Sequence, residues 1–360
     1  MEFLPVSPES LLRAAGVLRQ GGIVAFPTET VYGLGADAYN AAAVAKVFEV
    51  KGRPYFDPLI IHIAAAETLE HAADLSRLTK ETKQKLCLLA KEFWPGPLSL
   101  VLPKNGKIPD IATAGLYTAA FRIPGHDAAL KLISLSGGAV AAPSANPFGA
   151  LSPTRAEYVR DKLGEKVDII LDGGAAKVGV ESTVLDITGN SVKILRPGGT
   201  PKEAIEKLIG AVEDGCPAEG ALSSENVNVS PGQLKSHYAP KTPLKVFPRE
   251  EMINLPCEKG SAFIFFDGFT RDAWLEAQGK GASAQDAVIK TLSESGSTIE
   301  AAACFFETLH ELDNFNTINN CNSVNRCTGN CFEISRIYAQ FAPQEGLGAA
   351  INDRLRRASA

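Results

Sequence analysis

The chain has 360 residues, which is longer than one hydrophobic core usually serves, so we expect two domains. Its 45% apolar and 21% charged residues are typical of a soluble globular protein. No apolar run reaches the roughly 20 residues of a membrane helix, and the first ten residues lack the layout of a signal peptide.

The net charge of −5 is unevenly distributed along the chain. Residues 1–210 carry 23 Lys and Arg against 22 Asp and Glu, a charge of +1, and the remaining residues carry −6. This balance excludes the strongly basic surface that tight unaided binding of nucleic acid needs. Seven scattered cysteines without an export signal predict a reduced, cytoplasmic protein rather than a disulfide framework.

The first predicted element is a helix in "SPESLLRAAGVLRQGG". Ser7 is its N-cap, Pro8 suits its first turn, and Leu11, Leu12 and Leu18 share one face. Strands are predicted at Ile23–Phe26, Leu59–Ile63, Leu98–Leu102, Ala119–Ile123, Ala139–Ala142, Ile169–Leu171, Thr183–Asp186 and Lys193–Leu195. Further helices are predicted at Ala41–Val50, Thr79–Phe93, Asp127–Leu135, Thr154–Lys162 and Lys202–Ile209. This alternation predicts one mixed α/β domain over residues 1–210.

Residues 211–243 are rich in Gly, Pro and Ser and have little periodicity, so we predict a linker there. A second α/β domain is predicted over residues 244–360. Its expected strands are Leu244–Phe247, Ala262–Phe266 and Arg336–Phe341, and its expected helices are Ala282–Glu294, Thr298–Leu312 and Gly348–Arg357.

Polar residues stand at the ends or in the middle of several apolar strands of the first domain. They are Thr28 and Thr30 in "PTETVYGLG", Lys51 and Arg53 in "KGRP", His62 in "PLIIHI", Arg122 in "AAFRIPGH", Ser144 and Asn146 in "APSANP", Ser182 and Thr183 in "ESTVLDI", and Arg196 in "ILRPGG". Burying an unpaired charge costs several kcal/mol, so together they indicate a shared cavity. Lys51, Arg53 and Arg196 suit a polyphosphate, whereas Arg122 with His62 and Thr30 suits a smaller zwitterion.

Each of these residues also has a plain structural interpretation. Arg122 is equally consistent with a buried ion pair, and His62 with a core histidine whose hydrogen bonds are satisfied. The remaining cations are equally consistent with solvated helix ends and surface charges, and the hydroxyl and amide side chains with caps or ordinary strand residues. For "PTETVYGLG" we predict a strand-to-helix corner in which the glycines let the chain turn close to a ligand.

Seven motifs occur in order and carry a family resemblance: "FPTETVYGLGADA", "KGRPYFDPLIIHI", "FWPGPLSLVL", "FRIPGH", "APSANPFGALSPT", "ESTVLDI" and "ILRPG". The chain resembles the YrdC/Sua5 family of L-threonylcarbamoyladenylate synthases over residues 10–210. "SPGQLKSHYAP" and "EGLGAAINDRLRRA" are similar to the linker and the last helix of the long Sua5 form. The resemblance implies a YrdC-like twisted mixed sheet with helices, followed by a smaller Rossmann-like α/β domain.

The resemblance also implies an activity. The family makes threonylcarbamoyl-AMP and pyrophosphate from L-threonine, bicarbonate or CO2, and ATP, with Mg²⁺ accompanying the ATP and no protein metal ligands assigned. The product serves N6-threonylcarbamoylation of adenosine 37 in tRNAs that read ANN codons. The implied partners are therefore a downstream threonylcarbamoyl-transferase machinery and a weak tRNA contact, without a membrane.

The site residues implied by the resemblance fall into three groups. Threonine would be held by Thr30, His62, Arg122, Ala142 and Ser182. ATP would be held by Lys51, Arg53, Asp57, Thr118, Ser144, Asn146, Ser152 and Arg196, with Lys51 and Arg53 as the catalytic pair. Ser230, His237 and Tyr238 in the linker would close the site as a lid and keep water from the carbamate.

One segment departs from the family pattern. Residues 314–334 carry seven Asn within 314–330, together with Cys321, Cys327 and Cys331. The spacing C-x5-C-x3-C without a histidine is unlike a zinc site, so we predict a flexible surface loop, with a metal or redox site as the alternative.

Two other functions are compatible with parts of the sequence. A non-catalytic RNA-binding module would require a first domain with a higher positive net charge than the +1 of residues 1–210. A carbamoyl-transfer maturation factor would carry zinc-finger and acylphosphatase modules that this chain lacks. Pyrophosphate release that needs both threonine and bicarbonate separates the three functions.

Overall fold

The computed structural model describes residues 1–215, 238–278, 287–321 and 333–360, with the side chains of 316–321 excepted. Its residues form two compact units. The first comprises Met1–Phe148 and Ser152–Leu234, and the second comprises Gly149–Leu151 and Lys235–Ala360. The linker bounds 211–243 stay a prediction because most of that segment lies outside the described residues.

The described strands of the first unit form one mixed sheet in the order β1-β8-β2-β3-β7-β4-β6-β5-β9-β10-β11. They are β1 (Glu2–Pro5), β2 (Val24–Phe26), β3 (Gly33–Asp37), β4 (Ile60–Ile63), β5 (Leu98–Pro103), β6 (Thr118–Arg122), β7 (Ala139–Ala141), β8 (Ile169–Asp172), β9 (Thr183–Asp186), β10 (Lys193–Arg196) and β11 (Glu213–Asp214). The helices are α1 (Pro8–Arg19), α2 (Ala41–Lys51), α3 (Lys80–Phe93), α4 (Asp127–Ser136), α5 (Ala156–Leu163) and α6 (Lys202–Ile209).

The predicted elements of the first unit are confirmed to within one or two residues. In α1, Ser7 Oγ accepts the backbone N–H of Ser10 at 3.1 Å, and Ser10 Oγ accepts the N–H of Ser7 in return. One detail was wrong: Leu12 is 56% exposed, while Leu11 and Leu18 are buried as expected. The buried face is therefore rotated relative to the prediction, since it includes Ser10 and Ala14 in place of Leu12.

The interpretation of "PTETVYGLG" as a strand-to-helix corner was wrong. The segment leads into β3, which runs antiparallel to β2 and pairs Gly33 with Phe26. The glycines do not serve a tight turn here. A Cβ on Gly35 would lie 2.7 Å from Val140 Cγ1 and 2.8 Å from the Phe26 ring, so glycine is required by close packing between the strands.

The sheet is covered on both faces. Alternate residues of β2 divide between two apolar clusters: Ala25 joins one with Phe48 and Phe121, and Phe26 joins the other with Leu132. The sheet centre is therefore apolar on both faces, and buried polar side chains at its strand ends need hydrogen-bond partners.

The second unit has a smaller parallel sheet in the order β12-β15-β13-β14. Its strands are β12 (Leu244–Phe247), β13 (Ser261–Asp267), β14 (Ala287–Ser293) and β15 (Arg336–Gln340), and its helices are α7 (Arg249–Ile253), α8 (Gly268–Gln278), α9 (Thr298–Cys321) and α10 (Gly348–Ala358). Phe263 and Trp274 pack at 4.7 Å between ring centroids in its core. The mixed sheet with helices followed by a smaller parallel α/β unit confirms the predicted fold class.

Two predictions for the second unit need correction. The helix expected at Ala282–Glu294 is instead strand β14, which pairs in parallel with β13, and residues 279–286 lie outside the described part. The loop expected over 314–334 is helical at its start because α9 continues to Cys321. Cys327 and Cys331 lie outside the described residues.

Candidate active site

The predicted site residues come from strand ends and loops of the first unit. His62 on β4 and Arg122 on β6 are directly opposite each other in the parallel pairing of the two strands. Both side chains are buried. The loop after β7 returns to the same region, since Ala145 N–H donates to Tyr32 O at 2.8 Å. The fold therefore brings "PTETVYG", "IIHI", "FRIPGH" and "APSAN" together.

Thr28 and Thr30 have different tasks. Thr28 Oγ1 donates to Val31 O at 2.5 Å and accepts the backbone N–H groups of Thr30 and Val31. Thr28 is therefore a local turn residue and not the helix cap of its structural interpretation, because strand β3 follows it. Thr30 Oγ1 lies 2.9 Å from Thr28 Oγ1 and accepts a hydrogen bond from Arg122 Nη2 at 3.0 Å.

Two nitrogens of the Arg122 guanidinium contact the protein, and the third is available as a hydrogen-bond donor. Its Nε donates to Gly96 O at 3.1 Å, and its Nη2 lies 2.7 Å from Glu29 Oε1 in a buried ion pair. Its Nη1 donates no hydrogen bond to a described residue. The ion-pair interpretation of Arg122 is thus correct, and the guanidinium still has a free edge for a carboxylate.

His62 is neutral over the whole physiological range. Burial, and secondly the charge of Arg122, lower its pKa from 6.5 to about 3. Its Nδ1 is buried and accepts no hydrogen bond from a described residue. Hydrogen bonding with the backbone of Ile60 and Val140 acts in the opposite direction and raises the pKa. The interpretation as a satisfied core histidine therefore stays a prediction, as does the role in binding threonine. A nitrogen with so low a pKa is a weak proton acceptor at neutral pH.

The depressed pKa of His62 has a consequence for stability. Between the unfolded pKa of 6.5 and the folded pKa of about 3, the unfolded chain binds the proton first. Lowering the pH through this window therefore reduces the free energy of unfolding by up to about 1.4 kcal/mol per pH unit from this group, and above the window it contributes nothing. We expect His62→Asn to show a shallower loss of stability from about pH 6 to about pH 4 in urea unfolding.

The exposed His71→Asn is the matched control for that experiment. All other titrating groups are shared by the three proteins, so the difference in slope isolates His62. If wild type and His62→Asn lose stability in parallel, His62 has the same pKa in the folded and unfolded chain, and the lowered pKa is wrong.

Lys51 ends α2 inside the protein, not in solvent. Its Nζ donates to Ser144 O at 2.6 Å and also to Asn146 O. Burial, and secondly the neighbouring Arg53, hold its pKa well below the usual value. An anionic phosphate bound beside Lys51 would raise this pKa again and favour the charged ammonium. Lys51 thus clamps the "SAN" loop while remaining a phosphate-binding candidate.

Arg53 and Asp57 form a second buried ion pair. Arg53 Nη2 lies 2.9 Å from Asp57 Oδ2, and its Nε and Nη2 donate to the backbone oxygens of Asp57 and Pro58. The solvated-helix-end interpretation of Lys51 and Arg53 was therefore wrong, since both residues are buried. Asp57 supports the guanidinium as its counter-ion.

Ser182, which directly precedes β9, contacts residues of the two strands beside it in the sheet, β5 and β10. Its Oγ lies 2.8 Å from Ser99 Oγ on β5, and Arg196 donates to Ser182 O at 2.8 Å and to Ser182 Oγ at 3.2 Å. Arg196 is buried, so its interpretation as a surface charge was wrong. Thr183 is structural, since its Oγ1 donates to Thr200 O at 2.6 Å.

Ser152 and Glu181 link this group to Lys51. Ser152 Oγ donates to Glu181 Oε1, and both side chains are buried. The charges of Glu181 and Asp57 act on Lys51 from nearby and partly offset the lowering of its pKa. Thr118 is the first residue of β6, and Ala142 and Ser144 follow β7. Thr118 and Ala142 are buried, and Ser144 is half-buried.

The predicted lid residues are only partly described. Ser230 and His237 lie outside the described residues. Tyr238 is 2% exposed within the second unit, with its ring centroid 5.7 Å from that of Phe306 and 5.4 Å from the Arg354 guanidinium carbon. The lid role stays a prediction.

Sequence reasoning missed three polar residues of the site, namely Glu29, Ser99 and Glu181. Each lies inside a quoted motif, but the residue that it contacts is far away in sequence. Ser99 and Ser182, for example, are separated by 83 positions. Their position inside the motifs "PTETVYG", "PLSLVL" and "ESTVLDI" was the available signal. Within the described ranges, no group of three or more His, Cys, Asp or Glu is placed to hold a metal ion.

These contacts define a class of protein: a two-unit α/β protein with a buried polar site in its larger unit. Family comparison agrees. Residues 16–198 match the Sua5/YciO/YrdC family model, described as telomere recombination, and residues 200–360 match the threonylcarbamoyl-AMP synthase C-terminal domain. The chain belongs to the threonylcarbamoyl-AMP synthase family, whose members are enzymes that form an adenylate.

Individual relatives match nearly end to end. The threonylcarbamoyl-AMP synthase of Pyrococcus abyssi is 41% identical over 96% of this chain and 93% of its own, and that of Bacillus subtilis is 37% identical over 99% and 94%. The crystal structure of P. abyssi Sua5 complexed with L-threonine superposes with a TM-score of 0.80 at 37% identity, covering 99% of this chain and 96% of that one. No helix in the described ranges is long and apolar enough to span a bilayer.

Proposed function

We propose that this chain makes L-threonylcarbamoyl-AMP and pyrophosphate from L-threonine, CO2 or bicarbonate, and ATP. In the cytoplasm the product would pass to a threonylcarbamoyl-transferase machinery that modifies adenosine 37 of ANN-decoding tRNAs. The observation that carries the proposal is the separation of buried cations into two sets. Arg122 lies among Thr30 and His62, and Lys51 lies beside Arg53.

Each set has a task in the proposed reaction. Arg122 binds the threonine carboxylate through its free Nη1 edge, with Thr30 and His62 beside it. Ala142 and Ser182 complete the amino-acid pocket. Lys51 and Arg53 stabilise the phosphate charge, with Asp57, Thr118, Ser144, Asn146, Ser152 and Arg196 around the nucleotide. ATP enters as its Mg²⁺ complex, whose metal neutralises charge on the phosphate oxygens.

The chemistry needs positioning more than a protein nucleophile. The threonine ammonium first releases a proton to solvent, the free amine then forms a bond to the carbon of CO2, and loss of a second proton gives a carbamate. A carbamate oxygen then attacks the α-phosphorus of ATP in line, and the bond to the leaving pyrophosphate breaks. Carbamates decompose in water, so burial of Arg122, His62 and Lys51 protects the intermediate. The linker residues Ser230, His237 and Tyr238 remain proposed as a lid for the same reason.

The experiment is pyrophosphate release by the full-length chain with mass detection of the adenylate. We expect release only when ATP, L-threonine and bicarbonate are all present, and a product of the mass of threonylcarbamoyl-AMP. Omitting each substrate in turn is the control. Release without threonine, or no release in the complete mixture, would contradict the proposal.

A further inference from the structure

Glu29 is a buried carboxylate with unused hydrogen-bonding capacity. Glu29 as a whole is 7% exposed and its side chain is 9% exposed, so the side chain is more than nine-tenths buried. Oε1 has one contact, the ion pair with Arg122 Nη2 at 2.7 Å, and apart from it neither carboxylate oxygen accepts a hydrogen bond from a described residue. A carboxylate has about four acceptor positions, and leaving them unfilled in a buried place is costly. The fold therefore keeps an acceptor for something that is not part of the described chain.

The surroundings of Glu29 show where that ligand group would be. Oε1 lies 2.7 Å from Arg122 Nη2, which also donates to Thr30 Oγ1. On another side is Gly125, where an added Cβ would come within 3.4 Å of the Glu29 carboxylate. His126 follows Gly125, and the charge of Glu29 acts on it. Glu29 thus lies beside the Arg122 guanidinium, with Gly125 and His126 on another side.

We propose that Glu29 binds the ammonium group of the amino-acid substrate while Arg122 binds its carboxylate. This inference rests on the proposed function and adds a residue to the threonine-binding set. In an α-amino acid the two charged groups are joined through a single carbon atom. A carboxylate and a guanidinium in contact with each other, each with unused hydrogen-bonding positions, therefore match the two charges of one zwitterion.

The alternative is that Glu29 acts only as the counter-ion that orients Arg122. The two roles differ in which ligands they affect. A counter-ion that orients Arg122 supports every ligand carboxylate equally. An ammonium acceptor supports only ligands that carry the ammonium group.

The experiment compares two ligands on the full-length protein by calorimetry. One is L-threonine, and the other is its 2-hydroxy analogue, 2,3-dihydroxybutanoate of the same configuration, in which a hydroxyl replaces the ammonium group. We expect Glu29→Gln to weaken L-threonine binding roughly 10- to 100-fold, the range for a hydrogen bond between charged groups, and to change analogue binding less than about threefold. The exposed Glu67→Gln is the matched control and should bind both ligands as wild type does.

The outcomes separate the alternatives. If Glu29→Gln weakens the binding of both ligands equally, Glu29 acts only as a counter-ion of Arg122. If L-threonine binding is unchanged, Glu29 does not contact the substrate. Either result overturns the inference. If wild type itself fails to bind L-threonine, the proposed function fails and this assignment fails with it. Should Glu29→Gln not fold, Glu29→Asp is measured instead. A reduced preference for threonine supports the inference, and a wild-type preference overturns it.

Discussion

Replacing Arg122 with alanine should lower kcat/KM for L-threonine by roughly 30-fold to 3,000-fold, mainly through KM. Loss of a buried guanidinium that pairs with a substrate carboxylate costs roughly 2–5 kcal/mol, and every 1.4 kcal/mol is a factor of ten. The KM for ATP should change much less because the Lys51 set is intact. Steady-state pyrophosphate release at varied threonine and ATP measures both values.

This variant needs a control for stability because Arg122 and Glu29 are an ion pair in the interior. Removing one partner of such a pair commonly destabilises a protein by about 3–5 kcal/mol. The double variant Arg122→Met with Glu29→Gln leaves no unpaired charge and should recover stability without recovering threonine use. The exposed Arg160→Ala should behave as wild type. A folded Arg122→Ala protein with the wild-type KM and kcat for threonine would show that Arg122 does not bind the substrate carboxylate.

Replacing Lys51 with methionine should lower kcat/KM for ATP by roughly two to three orders of magnitude, the usual effect of removing one group that stabilises transition-state charge. Methionine keeps the length of the buried side chain, so packing around α2 is largely preserved. L-threonine binding, measured by calorimetry without ATP, should stay within a few-fold of wild type. This separation of effects follows from the distinct surroundings of Lys51 and Arg122.

Lys46 offers a matched control on the same helix. Its Nζ also donates to a backbone oxygen, that of Gly21 at 2.7 Å, but it has no place in the site. Lys46→Met should therefore keep wild-type kinetics with both substrates. If Lys51→Met is folded and uses ATP as wild type does, Lys51 is only a clamp on the Ser144 and Asn146 backbone.

Much of the first unit could be predicted because its signals are local. The Ser7 cap, the Pro8 start and the glycine after Arg19 define α1 within one stretch of sequence. The apolar run around Ile61 predicts a buried strand without reference to its neighbours. The same reasoning failed at residues 287–293, where β14 exists because β13 pairs with it along its whole length. Pairing with a distant strand overrides the local preference there.

The sequence by itself determined the element types, the polar residues at strand ends and, through seven ordered motifs, the family. Taken together, the polar residues at strand ends, such as Arg122 and His62, also indicated a shared cavity. Only the tertiary structure decided what these residues contact. Lys51 bonds to the backbone of Ser144, 93 positions away, and Arg122 meets Thr30 across 92. Such contacts depend on strand order and register, which local patterns do not specify. For the same physical reason Glu29, an ordinary glutamate in sequence, is recognised only from the buried guanidinium beside it.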